Sequence, residues 1–102
     1  MRRSVPVLIC GAGPTGMTLA LELARFGVPF RIVDRATKGA AFSQALAVQA
    51  RALELLEAAH LTDPLLARAQ IVKHVRLQAG ARELFEVDFA GMPTAYSFLA
   101  MI

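Results

Sequence analysis

The sequence predicts an α/β fold that opens on a strand, a helix and a second strand, and three observations predict it. A short apolar run from Val5 to Cys10 stops abruptly at a glycine; Gly11, Gly13 and Gly16 then stand in G-x-G-x-x-G spacing; and a second apolar run, Phe30, Ile32 and Val33, ends on the acid Asp34. In that order these parts form the βαβ unit that holds the diphosphate and ribose of a dinucleotide.

Each part has a separate task. Gly11 ends the strand where a side chain would clash, Gly13 lets the backbone approach a diphosphate, and Gly16 lets the helix lie close against the strands. Pro14 has a fixed φ and no amide hydrogen, which suits the first helical turn, where backbone donors have no partner inside the helix. The remaining free donors and the positive end of the helix dipole then face a phosphate. Leu19, Leu23 and Phe26 recur at i, i+4 and i+7 with Ala20 and Ala24 beside them, so this stripe is expected to pack on the sheet. Gly27 is expected to stop the helix in a left-handed cap. Seventeen residues separate Gly16 from Asp34, close to the roughly 20-residue interval of an acid that binds a nucleotide ribose.

Composition bounds the rest. At 102 residues, 56% of them hydrophobic, and with a mean hydropathy of +0.50, the chain is richer in apolar residues than a small domain with its large surface needs. It is therefore expected to be part of a larger core. The net charge of +3 comes from scattered basic residues, and only seven residues (six Phe, one Tyr) are aromatic, so nucleic-acid binding is not expected. Cys10 is the only cysteine; no intrachain disulfide is possible, and at the end of a strand it is expected to be a small core residue rather than a nucleophile. No apolar stretch approaches the ~20 residues of a membrane span, and a soluble, cytoplasmic chain is expected. His60 and His74 have no second ligand at metal spacing, so no metal site is expected.

Beyond Arg35 a loop with Gly39 leads to an expected helix over Ala45–Ala59, with Val48, Ala52, Leu55 and Ala59 on one stripe. Thr62 is expected to cap a short helix running to about Arg68. Ile71–Gln78 alternates with mixed facing, Gly80-Ala81 makes a turn and Glu83–Phe89 alternates again, which together predict a hairpin. An apolar strand is expected from Tyr96 to Ile102.

Gly11-Ala12-Gly13-Pro14-Thr15-Gly16, Asp34-Arg35 and the segment from Ser43 to Leu56 (Ser-Gln-Ala-Leu-Ala-Val-Gln-Ala-Arg-Ala-Leu-Glu-Leu-Leu) resemble the amino-terminal part of the FAD-dependent aromatic hydroxylases, the flavin monooxygenases typified by para-hydroxybenzoate hydroxylase. The resemblance covers nearly the whole chain. It implies a Rossmann-like βαβ FAD-binding half over residues 1–70, followed over 71–102 by the start of a β-rich substrate domain. It also implies that Gly11, Ala12, Gly13, Pro14, Thr15 and Gly16 hold the FAD pyrophosphate, Asp34 the adenosine ribose, and Arg35 lies by the adenine. The acid is often glutamate in this family. Gln44 stands where the best-known members have arginine; it can hydrogen-bond a phosphate or ribityl oxygen but cannot neutralise charge. Arg51 either reaches the cofactor or pairs with Glu54 at i+3.

The family's chemistry is reduction of FAD by NADPH or NADH, then transfer of one oxygen atom from O₂ to an electron-rich ring of a small aromatic or polyketide-like substrate. Nothing in the chain is a candidate acid, base or nucleophile for it, so no catalytic residue is expected. Full-length relatives carry later Asp-Gly and Gly-Asp segments at the flavin, and neither lies within these 102 residues; the chain alone is expected to be inactive. Two alternatives stand beside this reading: an NAD(P)-binding domain of a dehydrogenase or reductase, for which Asp34 suits an NAD ribose, and a non-catalytic truncated remnant.

Overall fold

A computed structural model describes residues 4–41 and 46–102. The chain divides into two compact units, Met1–Phe42 and Ser43–Ile102.

The first unit is the expected βαβ. Strand β1 (Val7–Cys10) pairs in parallel with β2 (Phe30–Val33), Val7 opposite Phe30 through to Cys10 opposite Val33, and helix α1 (Pro14–Arg25) connects them. The end of α1 is a full Schellman cap: the amide of Gly27 donates to Ala24 (3.0 Å) and that of Val28 to Leu23 (2.8 Å), with Gly27 at φ 69. Only a residue without Cβ enters that conformation freely.

The helix packs on a different stripe from the expected one. Ala20 is buried while Leu19 and Phe26 are 47% and 70% exposed, and Gly16 lies against Gly11 and Ile9, so the small residues Gly16 and Ala20 face the strands. The glycine causes this: a helix can approach a sheet most closely along its small residues, and Gly16 and Ala20 lie one turn apart. Phe26 instead lies under the guanidinium of Arg25, 4.4 Å from its ring centre. The strands also depart from the expected burial. In β1 only Ile9 is buried, and Leu8 is 60% exposed; Cys10, expected in the core, is exposed. Successive strand residues point to opposite faces, and α1 covers only the face of Ile9 and Ile32.

The second unit is built around a three-stranded antiparallel sheet in the order β3 (Ala47–Val48), β7 (Leu99–Met101), β4 (Gln70–Val72). Ala100 of the central strand and Leu53 of helix α2 (Ala50–Leu56) are fully buried. The single helix expected over Ala45–Ala59 is therefore corrected: Ala47-Val48 pairs with β7, α2 begins at Ala50, and a 3₁₀ turn over Glu57–Ala59 follows it. Pairing to an apolar strand outweighs helical periodicity for Val48, whose β-branched side chain suits a strand. The packed stripe runs through Leu53, while Leu55 is 58% exposed. His60 ends the 3₁₀ turn in the left-handed region at φ 57, its amide donating to Glu57 and that of Leu61 to Leu56; it occupies the position a glycine usually takes.

Thr62 is not the cap expected. Leu61 takes the cap position and Thr62 begins α3 (Thr62–Leu66). Its side chain, 2% exposed, turns inward and donates to the carbonyl of Leu53 at 2.6 Å. The run Ile71–Gln78 also proves to be two strands: β4 belongs to the sheet of β7, and after Lys73 the chain enters β5 (His74–Ala79), which pairs with β6 (Arg82–Asp88) through the Gly80-Ala81 turn. The mixed facing in the sequence records this change of sheet. A register shift after Leu77 leaves Leu84 as an extra residue. One face of the hairpin then carries Val75, Leu77, Phe85 and Val87, and the other His74, Arg76 and Glu86, with Arg76 near Glu83 (3.4 Å) and Glu86 (3.6 Å).

The segment before β7 is tied to α2 and to the 3₁₀ turn that follows it. Thr94 donates its hydroxyl to Glu54 (2.8 Å) and the Tyr96 hydroxyl donates to Glu57. The hydrogen bond to Glu57, helped by partial burial and the nearby carboxylates, pushes the Tyr96 phenol from 10.0 up to about 12. A raised acid pKa in the folded state means that the stabilisation is complete below pH 10 and disappears as pH rises toward 12. The melting temperature is therefore expected to fall over this interval more steeply in the wild type than in Tyr96→Phe; parallel alkaline melting curves would show that the phenol contributes nothing.

Candidate functional site

The glycine turn is fixed by contacts on each side of it. Gly11 lies at φ +113, a conformation closed to other residues, and its amide continues the ladder by donating to Val33 at 2.7 Å. Gly13 caps α1 in extended conformation and accepts the amide of Met17 at 2.9 Å. Pro14 is the first helical residue, as expected, and no side chain caps this end among the described residues. The amides of Thr15 and Gly16 thus have no acceptor within the helix. A Cβ built on Gly16 would overlap the carbonyl oxygen of Gly11, lie 3.0 Å from its carbon and 3.2 Å from Cγ2 of Ile9. A Cβ on Gly13 would meet nothing within 4 Å. Gly16 is therefore required for packing, and the space at Gly13 is open to a ligand.

Asp34 follows β2 and turns back to this loop. Its Oδ2 accepts the amide of Ala12 and its Oδ1 that of Ala36, each at 2.7 Å. These two backbone bonds, Ala12 first, hold its carboxyl below the usual carboxylate range, so it is ionised at neutral pH. Beside it a cleft of about 440 Å³ is lined by Cys10, Gly11, Val33, Asp34 and Arg35. It sits at the carboxyl ends of two parallel strands, where open α/β sheets bind ligands.

Of the expected site residues, the structure brings together Gly11, Ala12, Gly13, Pro14, Thr15, Gly16, Asp34 and Arg35, all within the first unit. Gln44 lies outside the described residues. Arg51 belongs to the second unit, where its guanidinium donates to Glu54 at 3.1 Å. Sequence reasoning missed two features. The bond between Asp34 and Ala12 joins residues 22 apart and left no trace in periodicity. Cys10 as a cleft residue was legible: strand alternation places it opposite in facing to Ile9, and it immediately precedes the turn.

A βαβ unit with this turn, a free helix N-terminus and an acid at the end of β2 defines a dinucleotide-binding domain of the α/β class. Residues 4–98 match the family model described as FAD binding domain, and the chain belongs to that family. It is 45% identical over 98 residues to 6-methylpretetramide 4-monooxygenase of Streptomyces rimosus, an alignment that takes in 94% of this chain and 18% of that enzyme. Among solved structures, an anhydrotetracycline hydroxylase from Streptomyces rimosus superposes with a TM-score of 0.79 at 32% identity, over 96% of this chain and 20% of that one. The p-nitrophenol 4-monooxygenase of Pseudomonas putida shares the fold with a TM-score of 0.85 at 22% identity, over 94% of this chain and 25% of that one. The chain thus spans about a quarter or less of the length of these relatives. The cofactor of the family is FAD, which favours the FAD reading over the NAD(P) alternative. No helix among the described residues is long and apolar enough to cross a membrane.

Proposed function

We propose that this chain supplies the adenosine and pyrophosphate half of the FAD site of a cytoplasmic, NADPH- or NADH-dependent monooxygenase acting on an aromatic or polyketide-like small molecule. The observation that carries the proposal is the convergence of the open turn at Gly13, the amides of Thr15 and Gly16 that have no acceptor within α1, and the ionised Asp34. The donor set fits the group: amides and a helix dipole for the diphosphate, a carboxylate for ribose hydroxyls, and the guanidinium of Arg35 beside the cleft for the adenine end.

Bound there, FAD would supply the redox and oxygen-transfer chemistry. The residues present here bind and orient. Gly11 and Gly16 fix the turn, Thr15 and Gly16 offer amides to the diphosphate, and Asp34 accepts from the ribose. Arg51 and Gln44 belong to the same proposal as further contacts to the phosphate or ribityl oxygens. The substrate class is supported by relatives named for tetracycline intermediates. The assignment of 1–70 to the FAD region and 71–102 to the start of a β-rich substrate domain belongs to the same proposal: the described residues after Gln70 form strands and no helix, although β4 and β7 pair across that boundary into the sheet of β3.

Cys10 gives a direct test, because it is the only thiol and it lines the cleft. Saturating FAD or ADP is expected to slow alkylation of Cys10 by iodoacetamide at least about fivefold, while the same concentration of a nucleoside without phosphate protects little. Labelling that FAD and ADP both leave unchanged, in a chain that takes up no flavin by visible absorbance, would instead favour the remnant reading.

A further inference from the structure

Within the cleft read above as the adenosine and diphosphate site, one peptide unit is held from two sides. The amide of Ala12 donates to Asp34 Oδ2 at 2.7 Å. The carbonyl of the same peptide, that of Gly11, is the atom a side chain at Gly16 would strike. Because a trans peptide is planar with its N–H and C=O pointing in opposite directions, the carboxylate on one side and the helix on the other fix its rotation. This matters because a turn with glycine at positions 11, 13 and 16 has wide conformational freedom of its own. The second amide bond, from Ala36 to Oδ1 at 2.7 Å, in turn holds the carboxylate in place.

We infer that Asp34 is a positioning residue for the diphosphate: by clasping the Gly11–Ala12 peptide from the side opposite Gly16 it fixes the turn that receives the phosphates, independently of any bond to ribose. The two roles are compatible. A carboxylate can accept about four hydrogen bonds, so two backbone amides leave capacity for two ribose hydroxyls. The Ala12 amide is thereby committed to Asp34, which leaves the amides of Thr15 and Gly16 as phosphate donors.

The inference rests on the nucleotide-site reading, and the test separates the two. Binding of ADP and of 2′,3′-dideoxy-ADP, which has the same diphosphate but no ribose hydroxyls, would be measured by calorimetry for the wild-type chain and Asp34→Ala. Alanine has no acceptor, so both backbone bonds are lost, whereas the one oxygen of an asparagine could still take the Ala12 amide. Asp34→Ala is expected to weaken dideoxy-ADP binding by about tenfold, the weight of a charge-assisted hydrogen bond. In the ligand-free wild type, the Ala12 amide is expected to be protected from hydrogen exchange; Asp34→Ala should remove that protection while leaving the capping amide of Val28 protected. Dideoxy-ADP binding unchanged by Asp34→Ala, with ADP binding weakened, would show that Asp34 acts through ribose alone. A wild-type Ala12 amide that exchanges like an unbonded loop amide would also overturn the clasp, without reference to any variant. Failure of the wild type to bind FAD, ADP or the dideoxy analogue overturns the nucleotide reading and the clasp together.

Discussion

Gly16→Ala is expected to weaken FAD binding by about a hundredfold or more and to destabilise the βαβ unit. The added methyl would overlap the Gly11 carbonyl oxygen and crowd Cγ2 of Ile9 at 3.2 Å, and both neighbours are held in place. Gly11 is held by its own amide bond to Val33 at 2.7 Å, and Ile9 is the buried residue of β1. Relief would have to come from lifting α1 off the strands, which exposes Ala20 and moves the amides of Thr15 and Gly16 that open the helix. Overpacking typically costs about 1–3 kcal/mol, and with backbone as the neighbour the upper end of that range is expected. At about 1.4 kcal/mol per factor of ten, flavin affinity should fall by about a hundredfold or more. Gly13→Ala is the control, because a Cβ there meets open space in the ligand-free chain; it should fold normally and lose affinity only through contact with the diphosphate. Fluorescence titration with FAD and circular dichroism on both variants would check this, and Gly16→Ala binding flavin within threefold of wild type would contradict the packing argument.

The βαβ unit was legible because its constraints are local. Glycine spacing, Pro14, Gly27 and the acid at Asp34 each act within a few residues or one crossover, and the structure places them at the turn, the first helical position, the left-handed cap and the strand end. What the sequence could not convey is where the chain pairs over long range. Val48 has helical spacing with Ala52 and Leu55, yet it joins β7, more than 50 residues on, with Ala100 opposite it. Ile71 and Val75 read as one strand in the sequence, but the first pairs with Ala100 and the second with Val87. Thr62 has the composition of a cap, and burial against Leu53 converts its hydroxyl to another task. The same limit holds in the site: glycine and acid were readable one by one, and the hydrogen bond that joins Ala12 to Asp34 was not.

Leu53→Ala should be the most damaging single change in the second unit. Leu53 is the one large side chain that is fully buried among the described residues, and only Ala100 and Thr62 are comparably enclosed in this unit. Truncating a buried leucine typically costs about 2–5 kcal/mol, the larger values where the surroundings cannot collapse into the cavity. Here collapse is resisted by hydrogen bonds on both flanks. Thr62 donates to the Leu53 carbonyl at 2.6 Å, and Thr94 ties the neighbouring Glu54 to the segment before β7 at 2.8 Å. A core this small seldom supplies more than about 3–5 kcal/mol in total, so the variant should be largely unfolded at 37 °C. Thr62→Val separates packing from hydrogen bonding, since it keeps the shape and removes only the donor, at an expected cost of about 1 kcal/mol. Urea denaturation of the three proteins checks the order. Thr62→Val as damaging as Leu53→Ala would mean that the buried hydroxyl, and not the leucine, organises this core.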